Sequence, residues 1–476
     1  MLKLFALCLG AFLSNLSASL LNVALLDISE EFHLPLNASQ WVITSYLLTI
    51  TVFLPIMGKI GDRCGKRVVH NSGYLLFAMG ALLCALSPSF PLLLAFRVVQ
   101  GIGASMYQAT NIALIIALQP PEHRGRSLGY LTTAVAAGSL LGPGLGGIIV
   151  QWFEWRVLFW ILVPLASMAY VLAQRFIPKD SRGESGQLDL LGAALFTFSS
   201  GALVAGLAMG NEWGWETKRT IALFLFAFIC FSLFLLRSFQ VKEPFIPMEI
   251  FFHPMVRHGI FISILSYMVV FSMQVVVPIY LRDVIRVSPA VTGFILMSYP
   301  LFLTLMGPVG GMLSDRLGAM PVVCSGLLSM GVSLIGLSFL SSTSSLYYIG
   351  FFVALLGGSM GLVVSPNNSF VMNHSPEKYL GIMSSVMALS RNLGMVFGAV
   401  AGVALIHPWL PEKSDRMETF NDFIMDAGQN VMNGLRTVFF VSAALILTAV
   451  LKLWHLTKKF EAEHSRRHFM KHNFRR

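Results

Sequence analysis

The sequence predicts an all-α integral membrane protein whose fourteen transmembrane helices are arranged six, two and six. Three observations predict it. Of 476 residues, 55% are hydrophobic and 12% charged, with a mean hydropathy of +0.72, whereas an ordinary soluble domain carries about 25% charged residues. Long uncharged runs follow one another at short intervals, and a set of residues in the first half of the chain reappears in the second. Each span takes roughly 20 apolar residues, so no length is left for a large soluble domain. An ordinary soluble enzyme is excluded.

The first run, Leu4 to about Leu26, exceeds the roughly 7–15 apolar residues of a secretory signal and is soon followed by another. It reads as span one. Uncharged runs between polar breaks place the next seven near 41–58, 68–86, 92–117, 128–150, 157–177, 189–209 and 220–236. Six more lie near 258–281, 290–312, 321–340, 346–370, 381–406 and 434–456. The units read as a six-span bundle at 1–177, two extra spans with linkers at 178–257, a second bundle at 258–456, and a basic tail at 457–476.

Charge orients the spans. With both termini in the cytoplasm, inside segments hold 22 of the 33 Lys and Arg and outside segments seven, the asymmetry expected of cytoplasmic loops. The net charge of +10 is therefore sidedness rather than nucleic-acid affinity, and the tail reads as a solvated end facing the membrane. Cys8, Cys64, Cys84, Cys230 and Cys324 are odd in number and scattered, which suggests packing and neither a disulfide framework nor a metal cluster.

An internal repeat is visible. Ser45, Tyr46, Pro55, Gly58, Asp62, Arg63 and Gly65 recur 253 residues later as Ser298, Tyr299, Pro308, Gly311, Asp315, Arg316 and Gly318. Asn111, Pro120, Gly125, Gly138, Gly142 and Gly146 recur at an offset of 256, as Asn367, Pro376, Gly381, Gly394, Gly398 and Gly402. Two parallel halves facing each other make a central hollow whose ends can open in turn. That architecture predicts a transporter embedded in lipid and acting on a small molecule.

Three motifs carry a family resemblance. Gly58-Lys59-Ile60-Gly61-Asp62-Arg63-Cys64-Gly65-Lys66-Arg67 joins spans two and three, where glycines permit tight turns and charges can join helix ends. Arg97-Val98-Val99-Gln100-Gly101-Ile102-Gly103 lies in span four, and Gly138, Gly142, Pro143, Gly146 and Gly147 line span five. Together with Trp41 to Tyr46 and Trp155-Arg156, the chain resembles the fourteen-span drug:proton antiporters of the major facilitator superfamily over nearly its whole length. The resemblance implies the major facilitator fold, multidrug-type efflux by alternating access across a bacterial inner membrane, and a proton gradient in place of any cofactor. Some members use a periplasmic adaptor and an outer-membrane channel, which no residue here signals.

Asp62, Arg63, Asp315 and Arg316 read either as structural caps or as a latch for one conformational state. The glycine series of span five reads as close helix packing and as a pivot. By resemblance, spans one, four, nine and twelve line the cavity, contributing Asn15, Ser17, Ser19, Asn22, Gln108, Asn111, Gln274 and Asn367.

One departure stands out. Members of this family carry an acid in span one, and at the matching position of Leu16-Ser17-Ala18-Ser19-Leu20-Leu21-Asn22-Val23-Ala24-Leu25 stands Ser17. No carboxylate or histidine lies near the middle of any span; Asp27, Glu154, Asp189 and Asp283 come closest, at span ends. Arg391 lies near the middle of span thirteen and Arg97 about a third of the way into span four. A central arginine costs roughly 2.5–3.5 kcal/mol on insertion scales, so each needs a partner. Arg391 reads as a structural donor to carbonyls or as a functional charge. Asp27 is the candidate displaced acid, pairing with Arg97 and exchanging that pair for a proton or substrate.

Phosphate loops, metal-ligand spacings and nucleophile motifs do not appear, so neither an enzyme nor a metal site is expected. The leading expectation is an exporter of amphipathic organic compounds. A carrier for an anionic metabolite or siderophore is the second, because cations survive inside the spans while acids do not. A membrane sensor or assembly protein that docks a partner through the 407–433 loop is the third.

Overall fold

The computed structural model describes residues 2–34, 39, 41–179, 189–241, 244–376, 379–406 and 432–453. The basic tail, and the 407–433 loop up to residue 431, lie outside them. Fourteen helices are long and apolar enough to cross a membrane. They are α1 (Leu2–Glu31), α2 (Trp41–Cys64), α3 (Lys66–Ala85), α4 (Phe90–Leu118), α5 (Arg124–Trp152), α6 (Arg156–Phe176), α7 (Leu190–Trp213) and α8 (Lys218–Gln240). After them come α9 (Pro254–Ile279), α10 (Pro289–Leu317), α11 (Ala319–Ser338), α12 (Leu346–Asn373), α13 (Leu380–Ile406) and α14 (Met432–Leu453). Helix α1 runs past the expected end of span one, so Asp27 lies in the helix.

The turns follow from local chemistry. Gly65 and Gly318, which are repeat mates, adopt φ of 102° and 86° at the start of α3 and the end of α10, a region open to glycine and costly for other residues. Asp189 caps α7 by accepting from the Gly192 amide at 2.9 Å and pairs with Arg237 at 2.6 Å. Ser288 caps α10.

Helices α1 to α6 enclose one apolar core and α9 to α14 a second. Each borrows from the other half: the first takes in Val371 and Met372 of α12 and Met383 and Met387 of α13, and the second takes in Ala136 of α5. In lipid no hydrophobic force drives helices together, so close packing must hold them. The glycine series supplies it. A Cβ on Gly138 would come 2.5 Å from the Phe12 carbonyl oxygen, one on Gly142 would collide with Ser19, and one on Gly146 would come 2.8 Å from the Leu20 carbonyl oxygen. All three seat α5 on α1. Their repeat mates seat α13 on α9 in the same way, with Gly394 against the Ile264 carbonyl and Gly398 against Met268.

Helices α7 and α8 pair with each other, and α7 lies against both α2 and α13. The halves meet along two seams, α2 with α13 and α5 with α10.

Substituting Gly142 by valine is expected to lower the thermal midpoint of the detergent-solubilised protein, because overpacking costs about 1–3 kcal/mol. The control is Gly144→Val, where an added Cβ meets nothing within 4 Å and the midpoint should hold.

Candidate functional site

The two halves are joined at the end that carries the signature loops by a pair of reciprocal contacts. The first amides of a helix have no partner inside it and attract a carboxylate. The Asp62 carboxylate, at the end of α2, accepts from the amides of Gly381 and Ile382 at 2.8 and 2.9 Å, in the first turn of α13. Its repeat mate Asp315, at the end of α10, accepts from Gly125 and Arg126 at 2.8 and 2.9 Å, in the first turn of α5. Gly125 and Gly381 are themselves repeat mates. Lys66 adds an ion pair to Asp62 at 3.0 Å. Glycine lets the backbones approach: a Cβ on Gly58 would collide with Ser385, and one on Gly311 with the Gly125 carbonyl.

The acids make these contacts between the halves and the arginines do not. Arg63 and Arg316 are exposed, and neither makes a hydrogen bond or ion pair among the described residues. The cause is polarity, since a helix N-terminus carries positive potential and repels a guanidinium.

Hydrogen bonds between the halves continue inward from this end and then stop. Arg124 donates to Asn373 at 2.9 Å, Ser365 to the Gly125 carbonyl at 2.8 Å, Thr133 to the Thr304 carbonyl at 2.9 Å, and Asn392 to Thr51 at 3.3 Å. Arg391 and Gln108 make one more such bond, and together these contacts run from the signature-loop end to about the middle of the helices. Among the described residues no hydrogen bond joins the halves further toward the opposite ends.

A polar chain crosses the first half, from the part of α4 remote from the signature loops toward its middle. Arg97 is fully buried. Its Nε donates to the Val42 carbonyl at 2.8 Å, and its Nη1 to the Ser17 hydroxyl at 3.2 Å and to Gln100 Oε1 at 2.6 Å. The guanidinium carbon lies 4.1 Å from the centre of the Tyr46 ring, an arrangement that attracts a cation to the ring face. The Tyr46 hydroxyl hydrogen-bonds that of Ser14 at 3.0 Å, and Gln108 Nε2 donates to Ser14 at 2.6 Å. Gln108 Oε1 accepts from Arg391 Nη2 of the other half.

Two expectations change here. Asp27 does not pair with Arg97 and makes no ion pair among the described residues; the partner is Ser17, at the position of the family acid. One helical turn is about 5.4 Å, and Asp27 lies almost three turns further along α1 than Ser17. Arg391 donates to a side chain across the interface rather than to nearby carbonyls.

The remaining cavity candidates divide. Ser19 is buried, and its hydroxyl lies within donating distance of the Asn15, Leu16 and Gly138 carbonyls, one of which takes its single proton at a time, so it packs helices instead of facing a hollow. Asn111 is buried, and Asn367, also buried, donates to the Gly259 carbonyl at 2.8 Å. Asn15 and Gln274 are half-buried, and Asn15 donates to its own helix at Ala11. The side chains of Asn22 and Pro143 lie outside the described residues, and Gly147 is half-buried. Sequence reasoning missed Ser14 and Asn392 and gave Gln100 no role beyond its place in the motif. Their signal is faint: polar residues in apolar helices, within three positions of Ser17, Arg97 and Arg391. It also passed over His70, which is fully buried in α3 with Nδ1 3.2 Å from the Thr110 hydroxyl and its ring 5.1 Å from that of Tyr74.

At the other end of the first half Glu31 ties three helices. Trp155 Nε1 donates to Glu31 Oε2 at 2.5 Å, Arg156 pairs with both carboxylate oxygens at 2.8 and 2.7 Å, and Arg156 also reaches the Ser87 carbonyl at 3.2 Å. The Arg156 hydrogen bond holds the Glu31 carboxyl below the usual carboxylate range.

Two duplicated membrane bundles, fastened reciprocally at one end around a buried polar chain, define a membrane transporter and not an enzyme. The chain belongs to the Major Facilitator Superfamily, whose family model matches residues 7–399 and again 259–472. It is 31% identical over 396 residues to the riboflavin transporter RibZ of Clostridioides difficile, covering 83% of this chain and 86% of that one. To the multidrug resistance protein Stp of Mycobacterium tuberculosis it is 28% identical, covering 86% and 76%. To the lincomycin resistance protein LmrB of Listeria monocytogenes it is 25% identical, covering 84% of each. The fold is shared with the proton:xylose symporter XylE, with a TM-score of 0.67 at 13% identity over 95% of each chain. It is shared too with the human organic anion transporter MFSD10, with a TM-score of 0.62 at 16% identity over 93% of this chain and 98% of that one.

If the carboxylates hold the latch, Asp62→Ala with Asp315→Ala should expose a cysteine placed at the fully buried Ser385. The expected rise in alkylation rate is about tenfold, given about 1–2 kcal/mol for a charge at a helix terminus in partly buried geometry. An unchanged rate would show that the latch is idle.

The Glu31 tie has a definite pH sign. A carboxyl with a depressed pKa in the folded state contributes stability above its unfolded value and loses it as pH falls through the folded one. The difference in thermal midpoint between the natural protein and Glu31→Gln should hold from about pH 7 to 5 and shrink below about pH 4, which a melting series in buffered detergent reads directly.

Proposed function

We infer that the chain exports amphipathic organic compounds from the cytoplasm by alternating access, driven by the proton gradient of a bacterial inner membrane. The observation that carries this reading is the pair of reciprocal latches. Both lie at the end where cytoplasmic positive charge is expected, and both are single carboxylates on helix termini. Such contacts are worth only about 1–2 kcal/mol each, so binding energy from a substrate is large enough to break them and let the opposite end close.

The named relatives support organic cargo, since those with a stated substrate or resistance all concern organic compounds. The glycine series packed between α1 and α5 supports export, because the antiporter motif that it resembles belongs to exporting branches of the family. Proton drive follows from that resemblance alone; Ser17 occupies the place of the usual acid, so a different group must carry the proton. The charge asymmetry of the loops supports a cytoplasmic position for both termini.

The test is flux across everted vesicles carrying the full chain, with an imposed pH gradient and a chemically mixed panel of amphipathic compounds. Gradient-stimulated uptake of at least one class is the expected result, abolished by a protonophore. Uptake that is indifferent to the gradient would remove proton coupling, and no uptake of any class would remove export.

A further inference from the structure

We propose that Arg391 and Gln108 form the binding site for an anionic group on the transported compound, which displaces the Gln108 carbonyl from Arg391 and so releases a bond between the two halves. The proposal rests on the transporter reading and specifies the charge of its cargo.

Arg391 is half-buried near the middle of α13, in a span that runs Leu380–Gly402. A guanidinium offers five donors. Here the side-chain acceptor is a neutral amide oxygen, Gln108 Oε1, and no carboxylate pairs with Arg391 among the described residues. The hydroxyl of Tyr267 lies close enough to interact with it, which still leaves the charge without a counter-ion. An intramembrane cation pairs with polar groups or faces water, and the amide and hydroxyl beside Arg391 leave guanidinium donors over for an anion.

The amide is held so that its oxygen faces the arginine. Gln108 Nε2 donates to Ser14 at 2.6 Å, and Ser14 is tied to Tyr46 at 3.0 Å. A carboxylate, sulfonate or phosphate can take two parallel bonds from a guanidinium and is a stronger acceptor than an amide. It would therefore win the arginine from Gln108.

Position makes that exchange consequential. Together with the neighbouring pair Asn392 and Thr51, this contact is, among the described residues, the last hydrogen bond between the halves counted from the signature-loop end. It is also absent from the repeat. At the offset of 256, Gln108 corresponds to Val364 and Arg391 to Val135, whereas the aspartate latch is duplicated. The fold builds its fastening twice and this clasp once, which separates the clasp from what packing demands.

The experiment is equilibrium dialysis of the full chain in nanodiscs, with empty nanodiscs as the blank. The probes are three pairs, the sulfonate and sulfonamide of naphthalene, anthracene and pyrene, matched in shape and differing in charge. The expected result is sulfonate binding roughly tenfold tighter than sulfonamide in at least one pair, the lower end of what a hydrogen bond to a charged group contributes. Arg391→Gln should bring the pair to parity, and Arg391→Lys should keep a preference. Gln108→Ala, which removes the competing carbonyl, should raise sulfonate affinity severalfold relative to the sulfonamide.

Parity in the natural protein for all three pairs overturns the proposal, as does a preference that survives Arg391→Gln or a fall in sulfonate affinity relative to the sulfonamide with Gln108→Ala. Should Arg391→Gln fail to fold, the natural protein and the Gln108 variant decide. A sulfonate preference without gradient-driven flux would leave this site standing and the export reading fallen.

Discussion

The structure depends on the unsatisfied amides at the start of two helices. A helix cannot bond its own first N–H groups, so a capping side chain or water must do it. Here the first turns of α5 and α13 are satisfied by carboxylates from the opposite half, Asp315 and Asp62. The requirement of one half is thus met only in contact with the other. Because the sequence is duplicated, one solution appears twice, and the two seams close together. Breaking one latch leaves a helix terminus uncapped and a carboxylate without its donors, so the closed end behaves as a unit.

A second constraint acts inside the first half. Arg97 is a permanent charge with no exposure, and in this chain the neighbouring position in α1 is Ser17. The protein spreads the burden over the Val42 carbonyl, the Gln100 amide, a serine hydroxyl and the face of Tyr46. Each is a partial charge, so together they solvate the guanidinium without neutralising it. A net positive potential therefore remains inside the first half, continuous through Ser14 and Gln108 with the second cation at Arg391.

Much of this was legible in the sequence, for reasons that can be stated. Spans are read from hydropathy because lipid imposes it on every residue in turn. The latch loops are read from spacing because both copies keep the acid seven positions after a proline. What the acids touch was not legible. A carboxylate that accepts from backbone amides leaves no side-chain signature on the receiving helix, and Gly381 looks like any packing glycine. The error about Asp27 has the same root, for span boundaries drawn at the first charge ended α1 too early and brought that acid nearer to Arg97 than the helix allows. Gln108 and Arg391 are 283 residues apart and have no repeat mates, so neither periodicity nor duplication could join them.

The packing explains how such a structure can move without unfolding. Helix α5 is fixed to α1 by the Gly138, Gly142 and Gly146 contacts and by the bond from Ser19 to the Gly138 carbonyl at 3.0 Å. Helix α13 is fixed to α9 by Gly394 and Gly398 and by the bond from Ser272, the residue 253 positions after Ser19, to the Gly398 carbonyl at 2.8 Å. Each of these helices therefore belongs rigidly to its own half along one face. Along the other face each meets the opposite half through further glycines, Gly129 against Gly307 for α5 and Gly381 against Gly58 for α13. Smooth backbone surfaces with few interlocking side chains resist separation at contact yet offer little obstacle to a change of angle. If the halves change angle, this packing puts the motion at α5 and α13, whose first turns carry the aspartate contacts.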